Sequence, residues 1–115
     1  MNYSEAIRYI DDRFVSFQTV GRTAYRGGLE AIAAMCRRMG DPQHRYPTLH
    51  IAGTNGKGSV AHMLAAILQA AGYRTGLYTS PHLHDFRERI RIDGVPIPEE
   101  DVCAFLERHA AAMEQ

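Results

Sequence analysis

Residues 49–59, Leu-His-Ile-Ala-Gly-Thr-Asn-Gly-Lys-Gly-Ser, constrain this chain more than any other stretch. The spacing predicts a short apolar strand over 48–52, a glycine-rich turn from Gly53 through Thr54, Asn55, Gly56, Lys57 and Gly58 to Ser59, and an amphipathic helix behind it. In that helix Val60, Met63, Leu64, Ile67, Leu68 and Ala71 share the buried face, and Gly72 closes it. Strand, glycine loop and helix in this order make an anion site: glycines let backbone approach the ligand, and the helix start carries partial positive charge. The stretch departs from the strict G-x-x-x-x-G-K-[ST] pattern twice, with Ile51 in place of the first glycine and Gly58 between Lys57 and Ser59. The working parts are still present. Backbone N–H groups from Asn55 to Ser59 suit phosphate oxygens, Lys57 suits the terminal phosphates, and the Ser59 hydroxyl suits magnesium.

The flanking sequence predicts an α/β fold built on a P-loop NTPase-like βαβ unit. A second strand over 74–79 follows the helix after a short turn, which predicts two parallel strands joined by a right-handed crossover. Ligands of such sheets lie at the carboxyl ends of the strands, which would bring Thr79, Ser80, Pro81 and His82 towards the phosphate loop. Upstream, Tyr3, Ala6, Ile7, Ile10 and Phe14 give a first helix with Ser4 as its cap, and 15–28 reads as an irregular connection. Leu29, Ile32, Ala33, Cys36 and Met39 give a second helix, stopped by Gly40 and Asp41-Pro42. Downstream, 89–92 and 95–97 flank Asp93-Gly94 as a small hairpin, with Pro96 on an edge, and Pro98 opens a last helix. The expected organisation of 1–115 is therefore a helical lead-in over 1–47, the P-loop βαβ over 48–80, a loop and hairpin over 81–97, and a helix over 98–114.

Charge removes some partners from consideration. Lys+Arg and Asp+Glu both number 13, so no global field recruits nucleic acid or an anionic membrane. No apolar run has the length of a membrane helix, and Cys36 and Cys103 lack metal-type spacing, which predicts a cytoplasmic protein with structural thiols. His82 and His84 have no third ligand at a recognisable spacing, and Arg87, Glu88, Arg89 and Arg91 read as a solvated charged face.

Three segments carry a family resemblance: Ala-Gly-Thr-Asn-Gly-Lys-Gly-Ser at 52–59, Leu-Tyr-Thr-Ser-Pro-His-Leu at 77–83, and Phe-Arg-Glu-Arg-Ile-Arg-Ile at 86–92. Together they closely resemble folylpolyglutamate synthase and the bifunctional dihydrofolate synthase/folylpolyglutamate synthase, within the Mur ligase superfamily. The likeness extends to Tyr-Ser-Glu-Ala-Ile at 3–7, Gly28-Leu29, Gly-Asp-Pro-Gln at 40–43 and Gly-Val-Pro-Ile at 94–97. The extra glycine after the lysine is usual in that family.

The resemblance implies an ATP-dependent amide ligase. ATP phosphorylates a carboxylate of dihydropteroate or a folate, and the amine of glutamate attacks the acyl phosphate to give the amide, ADP and phosphate. Carried onto this chain, residues 53–59 would hold the ATP phosphates, Lys57 would pair with them as the catalytic cation, and Ser59 and Ser80 would face Mg2+. Ser80, Pro81, His82, Phe86 and Arg89 would border the pterin or folate, with Phe86 offering stacking area and Arg89 a charge for a carboxylate. The family places further features beyond this length: a magnesium-binding carboxylate, a histidine metal ligand, a modified lysine and a C-terminal domain. The chain thus reads as the N-terminal part of an incomplete Mur-ligase central domain, inactive alone, its partner being the missing C-terminal part or a second copy. Two other readings stay open on the residues: a non-catalytic nucleotide- or pterin-binding fragment, and another P-loop NTPase.

Overall fold

The computed structural model describes residues 1–13 and 29–113. Phe14 and the connection expected over 15–28 lie outside them. The elements are α1 (Tyr3–Arg13), α2 (Glu30–Arg38), α3 (Lys57–Ala70), β1 (Gly76–Tyr78), β2 (Ile90–Ile92), β3 (Val95–Pro96) and α4 (Glu99–Met113), with 3-10 turns at Pro42–His44 and Phe86–Arg89. They divide into two compact units, one of Met1–Thr48 with Phe105–Gln115 and one of Leu49–Ala104.

In the first unit, α1 begins earlier than its expected cap. Asn2, not Ser4, satisfies the helix start: its Oδ1 accepts the Glu5 N–H at 2.9 Å, and its Nδ2 donates to Glu5 Oε1 at 3.0 Å. Asn2 stands three residues before a glutamate that can reach back, and Ser4 does not. Among the described residues of this unit, Ala6 and Leu106 are buried. The expected stop of α2 forms as a Schellman motif, with Gly40 N–H bonded to Arg37 C=O at 3.1 Å and Asp41 N–H to Cys36 C=O at 2.8 Å.

The second unit carries the glycine loop. α3 ends in the same way at Gly72, whose N–H bonds Gln69 C=O at 3.0 Å while Tyr73 N–H bonds Leu68 C=O at 3.1 Å. The hairpin is present: Ile92 pairs with Val95, and Asp93 and Gly94 both take positive φ, 50° and 83°, as a two-residue primed turn requires. Pro96 lies on the edge strand, where its missing N–H costs no ladder bond.

The parallel βαβ pairing is not formed. Residues 48–52 carry no strand, and β1 pairs antiparallel with β2 in the register Gly76–Ile92, Leu77–Arg91 and Tyr78–Ile90. The sheet has the order β1-β2-β3 and is antiparallel throughout. A strand exists through its ladder, and β1 finds its neighbour in the hairpin, which needs no crossover. Residues 48–52 have no such neighbour among the described residues, and Leu49 is 68% exposed. A parallel pair would also need cover on both faces, and the helix packed on β1 is α3.

The expected buried face of α3 is only partly covered. Leu64 and Leu68 are half-buried, whereas Val60, Met63 and Ile67 are 44%, 58% and 63% exposed. A sheet of two- and three-residue strands is too small to cover a helix of 14 residues.

One residue joins the parts of this unit. Asp93 Oδ1 accepts the Thr75 N–H at 2.7 Å, its N–H donates to Thr75 C=O at 2.8 Å, and its C=O accepts Gln69 Nε2 at 3.1 Å. The hairpin turn, the entry to β1 and the last turn of α3 thus meet at one residue, through its side chain and its backbone. Asp93→Ala leaves the Thr75 N–H without its acceptor and places alanine at positive φ, an expected cost of about 1–3 kcal/mol. Urea unfolding followed by circular dichroism checks this: Asp93→Asn, which keeps the oxygen and tolerates the turn, should retain most of the stability that Asp93→Ala loses.

Candidate functional site

Gly56, at φ 78° and ψ 2°, turns the chain into α3 as its cap residue, and Val60 N–H bonds its C=O at 3.0 Å. No side chain caps this helix start. The N–H groups of Lys57, Gly58 and Ser59 therefore emerge from the first turn without intrahelical acceptors, at the positive end of a 14-residue dipole. A β-carbon built at Gly53, Gly56 or Gly58 would meet nothing within 4 Å, so the loop has open space around it. Lys57 folds back over the loop, its Nζ donating to Gly53 C=O at 3.3 Å. That bond is long for its type and is readily exchanged for an anionic acceptor. Thr54, Asn55 and Ser59 are exposed and make no side-chain hydrogen bond among the described residues. The arrangement can grip phosphate.

The Ser59 hydroxyl is a hard oxygen of the kind magnesium takes. Magnesium usually keeps its waters and substrate phosphates and needs only one or two protein oxygens, so this position fits an ion arriving with a nucleotide. Among the described residues no three His, Cys, Asp or Glu side chains gather as a metal cluster.

The second set of predicted residues follows β1. Thr79 N–H bonds Arg89 C=O at 2.9 Å, continuing the β1–β2 pairing one step and anchoring the start of the loop. Ser80 and Pro81, joined by a cis peptide bond, are exposed. His82, Phe86 and Arg89 come together: Arg89 Nε donates to His82 Nδ1 at 2.8 Å, the His82 and Phe86 rings meet edge to face at 5.9 Å, and the Arg89 guanidinium lies 5.5 Å from the Phe86 ring centre. Arginine has no acceptor to offer, so this bond places the proton of a neutral His82 on Nε2 and makes that nitrogen the donor. All three are half-buried.

Glu88 organises this loop. Its Oε1 accepts the Leu83 N–H at 2.8 Å, and its Oε2 accepts the N–H groups of His84 and Asp85 at 3.0 and 2.8 Å. Asp85 in turn caps the following 3-10 turn by accepting Arg87 N–H at 2.9 Å, and pairs with the Arg87 guanidinium at 3.1 Å. The run 87–91 is thus half-buried and bonded into the backbone, not a solvated face. The signal was present as Asp-x-x-Glu at 85–88, the spacing of a capping box.

The backbone bonds from Leu83 and Asp85 hold the Glu88 carboxyl below its ordinary value of 4.5. A carboxyl with a lowered folded value contributes stability that is complete above 4.5 and lost as pH falls through the folded value. Acid should therefore release this loop, read as falling amide protection at Leu83, His84 and Asp85. Protection that persists unchanged to the acid end of the titration would contradict it.

The two loops belong to one unit. The end of α3 and the entry to β1 are tied through Asp93, so the chain reverses there. The start of α3 and the exit of β1, where the two loops sit, both lie away from that junction.

No protein-family model matches the chain. Individual relatives do. The folylpolyglutamate synthase of Lacticaseibacillus casei is 39% identical over 115 residues, all of this chain and 25% of the relative. A Mycobacterium tuberculosis dihydrofolate synthase/folylpolyglutamate synthase is 51% identical over 80 residues, 69% of this chain and 16% of the relative. The solved complex of FPGS with AMPPCP and folate superposes at a TM-score of 0.85 and 38% identity, covering 99% of this chain and 26% of that one. The backbone first defines a class, since it follows part of a Mur ligase fold. Within that class the chain is similar to folylpolyglutamate synthases and dihydrofolate synthases, over the stretches that match. It spans about a quarter or less of the length of these relatives. Among the described residues no helix is long and apolar enough to cross a membrane.

Proposed function

We propose that this chain supplies the nucleotide-phosphate loop and the pterin-side loop of an ATP-dependent ligase that joins glutamate to dihydropteroate, to folates, or to both. The observation that carries the reading is the uncapped start of α3 behind Gly56, with Lys57 over the loop. The relatives' names and the solved FPGS complex with AMPPCP and folate support the choice of nucleotide and acid. In this reading the N–H groups of Asn55 to Ser59 bind the ATP phosphates. Lys57 leaves Gly53 and offsets charge on the terminal phosphate, and Ser59 and Ser80 face magnesium. Magnesium, when bound, supplies further charge neutralisation at the phosphates. His82 Nε2–H, Phe86 and Arg89 receive the pterin acid and orient its carboxylate. No side chain is needed as a nucleophile, because positioning and charge neutralisation suffice for phosphoryl transfer. The exposed apolar side of α3 fits burial against more of such a ligase or against a second copy.

ADP formation by the protein that carries this chain tests the reading. Turnover should require glutamate together with dihydropteroate or a folate. Turnover indifferent to both acids would remove the ligase and leave a different nucleotide hydrolase.

A further inference from the structure

We propose that Glu88 is the positioning residue for the pterin-acid side of the site. Its carboxylate binds three consecutive backbone N–H groups, those of Leu83, His84 and Asp85, and so sets the path of the loop that keeps His82, Phe86 and Arg89 in one cluster. The inference rests on the reading that this cluster borders the pterin acid.

The geometry favours a dedicated role. Three donors in a row converge on one side chain from four and five residues away and from its near neighbour, so the loop closes around the carboxylate. Such convergence needs an acceptor with two charged oxygens, and an amide cannot supply it: glutamine would turn one oxygen into an NH2 group facing backbone N–H donors. The Glu88 C=O also accepts Arg91 Nε at 3.3 Å, and the next residue, Arg89, makes both the His82 bond and the Phe86 contact. Glu88 therefore bonds its own strand entry on one side and the loop on the other. Releasing 83–85 would free His82 from Arg89 without altering any group in the cluster. The side chain sits outside the glycine loop, so nucleotide binding should not report its loss.

The experiment is made in the protein that carries this chain and compares wild type with Glu88→Gln and Glu88→Asp in steady-state turnover with folate or dihydropteroate as the varied acid, beside Mg–AMPPCP titrations. For Glu88→Gln the KM for the acid should rise about tenfold or more, as expected for losing charge-assisted bonds, with the AMPPCP affinity unchanged. Glu88→Asp keeps the charge on a shorter stem and should fall between the two. Amide spectra of the variants separate local release from unfolding: the resonances of Leu83, His84 and Asp85 should move while those of α3 stay. An unchanged KM for the acid in Glu88→Gln overturns the positioning role and leaves the proposed ligase standing. Equal losses of acid and nucleotide affinity overturn it as well, because the residue would then be generally structural. A wild-type protein that uses neither acid overturns both readings.

Discussion

Replacing Lys57 with alanine is expected to weaken Mg–AMPPCP binding by about 10- to 100-fold, the worth of one charge-assisted hydrogen bond to a terminal phosphate. In turnover the loss should be larger, because charge gathers on the phosphoryl group as it transfers and an ammonium matters most at that point. The fold should be nearly indifferent. Lys57 is exposed, and among the described residues its side chain makes only the 3.3 Å hydrogen bond to Gly53 C=O. Titration calorimetry on both proteins, with a thermal melt of each, checks the expectation. Equal heats of binding would remove the loop from the account.

Arg89→Ala is the second large effect. It deletes the donor that fixes His82 with its proton on Nε2, and it removes the cation from beside Phe86. The KM for the pterin acid should rise by about 10- to 100-fold with the KM for ATP little changed, because a charged partner and an oriented donor are lost together. Arg89→Lys should restore little of this. An ammonium keeps the charge but not the planar Nε–H that reaches Nδ1, nor the flat face beside the ring. Steady-state kinetics with each substrate varied in turn separates the two constants. Recovery to wild-type KM in the lysine variant would reduce Arg89 to a point charge.

The glycine turn and the helix behind it were legible in the sequence because they form a local device, although the helix takes in Lys57, Gly58 and Ser59, which the spacing assigns to the turn. Its glycines, its lysine and the helix behind them are adjacent in the chain, and the structure forms the helix at Lys57 with Gly56 as the turn. The hairpin was legible for the same reason, since Asp93-Gly94 dictates its own turn. The partner of β1 was not. Strand pairing is decided by what else is available, and β2 reached β1 where a parallel neighbour had been expected. Burial along α3 also escaped, because periodicity reports which face is apolar and says nothing of whether a cover exists.

Of the residues that the resemblance proposes for the pterin side, His82, Phe86 and Arg89 are joined in the structure through contacts no spacing rule supplies. In the sequence Glu88 is one charge in a charged run. Its role depends on three N–H groups turning towards it, a property of backbone path and not of composition. A capping-box reading of 85–88 would have found half of it.

The acyl-phosphate route is the central claim, and oxygen transfer tests it most directly. The pterin acid is labelled with 18O in its carboxylate and turned over with ATP and glutamate by the protein that carries this chain. Attack of a carboxylate oxygen on the terminal phosphorus expels ADP. Attack of the glutamate amine on the acyl carbon then releases phosphate carrying that oxygen. The account predicts one labelled phosphate for each amide formed. ADP formed together with unlabelled phosphate would contradict it.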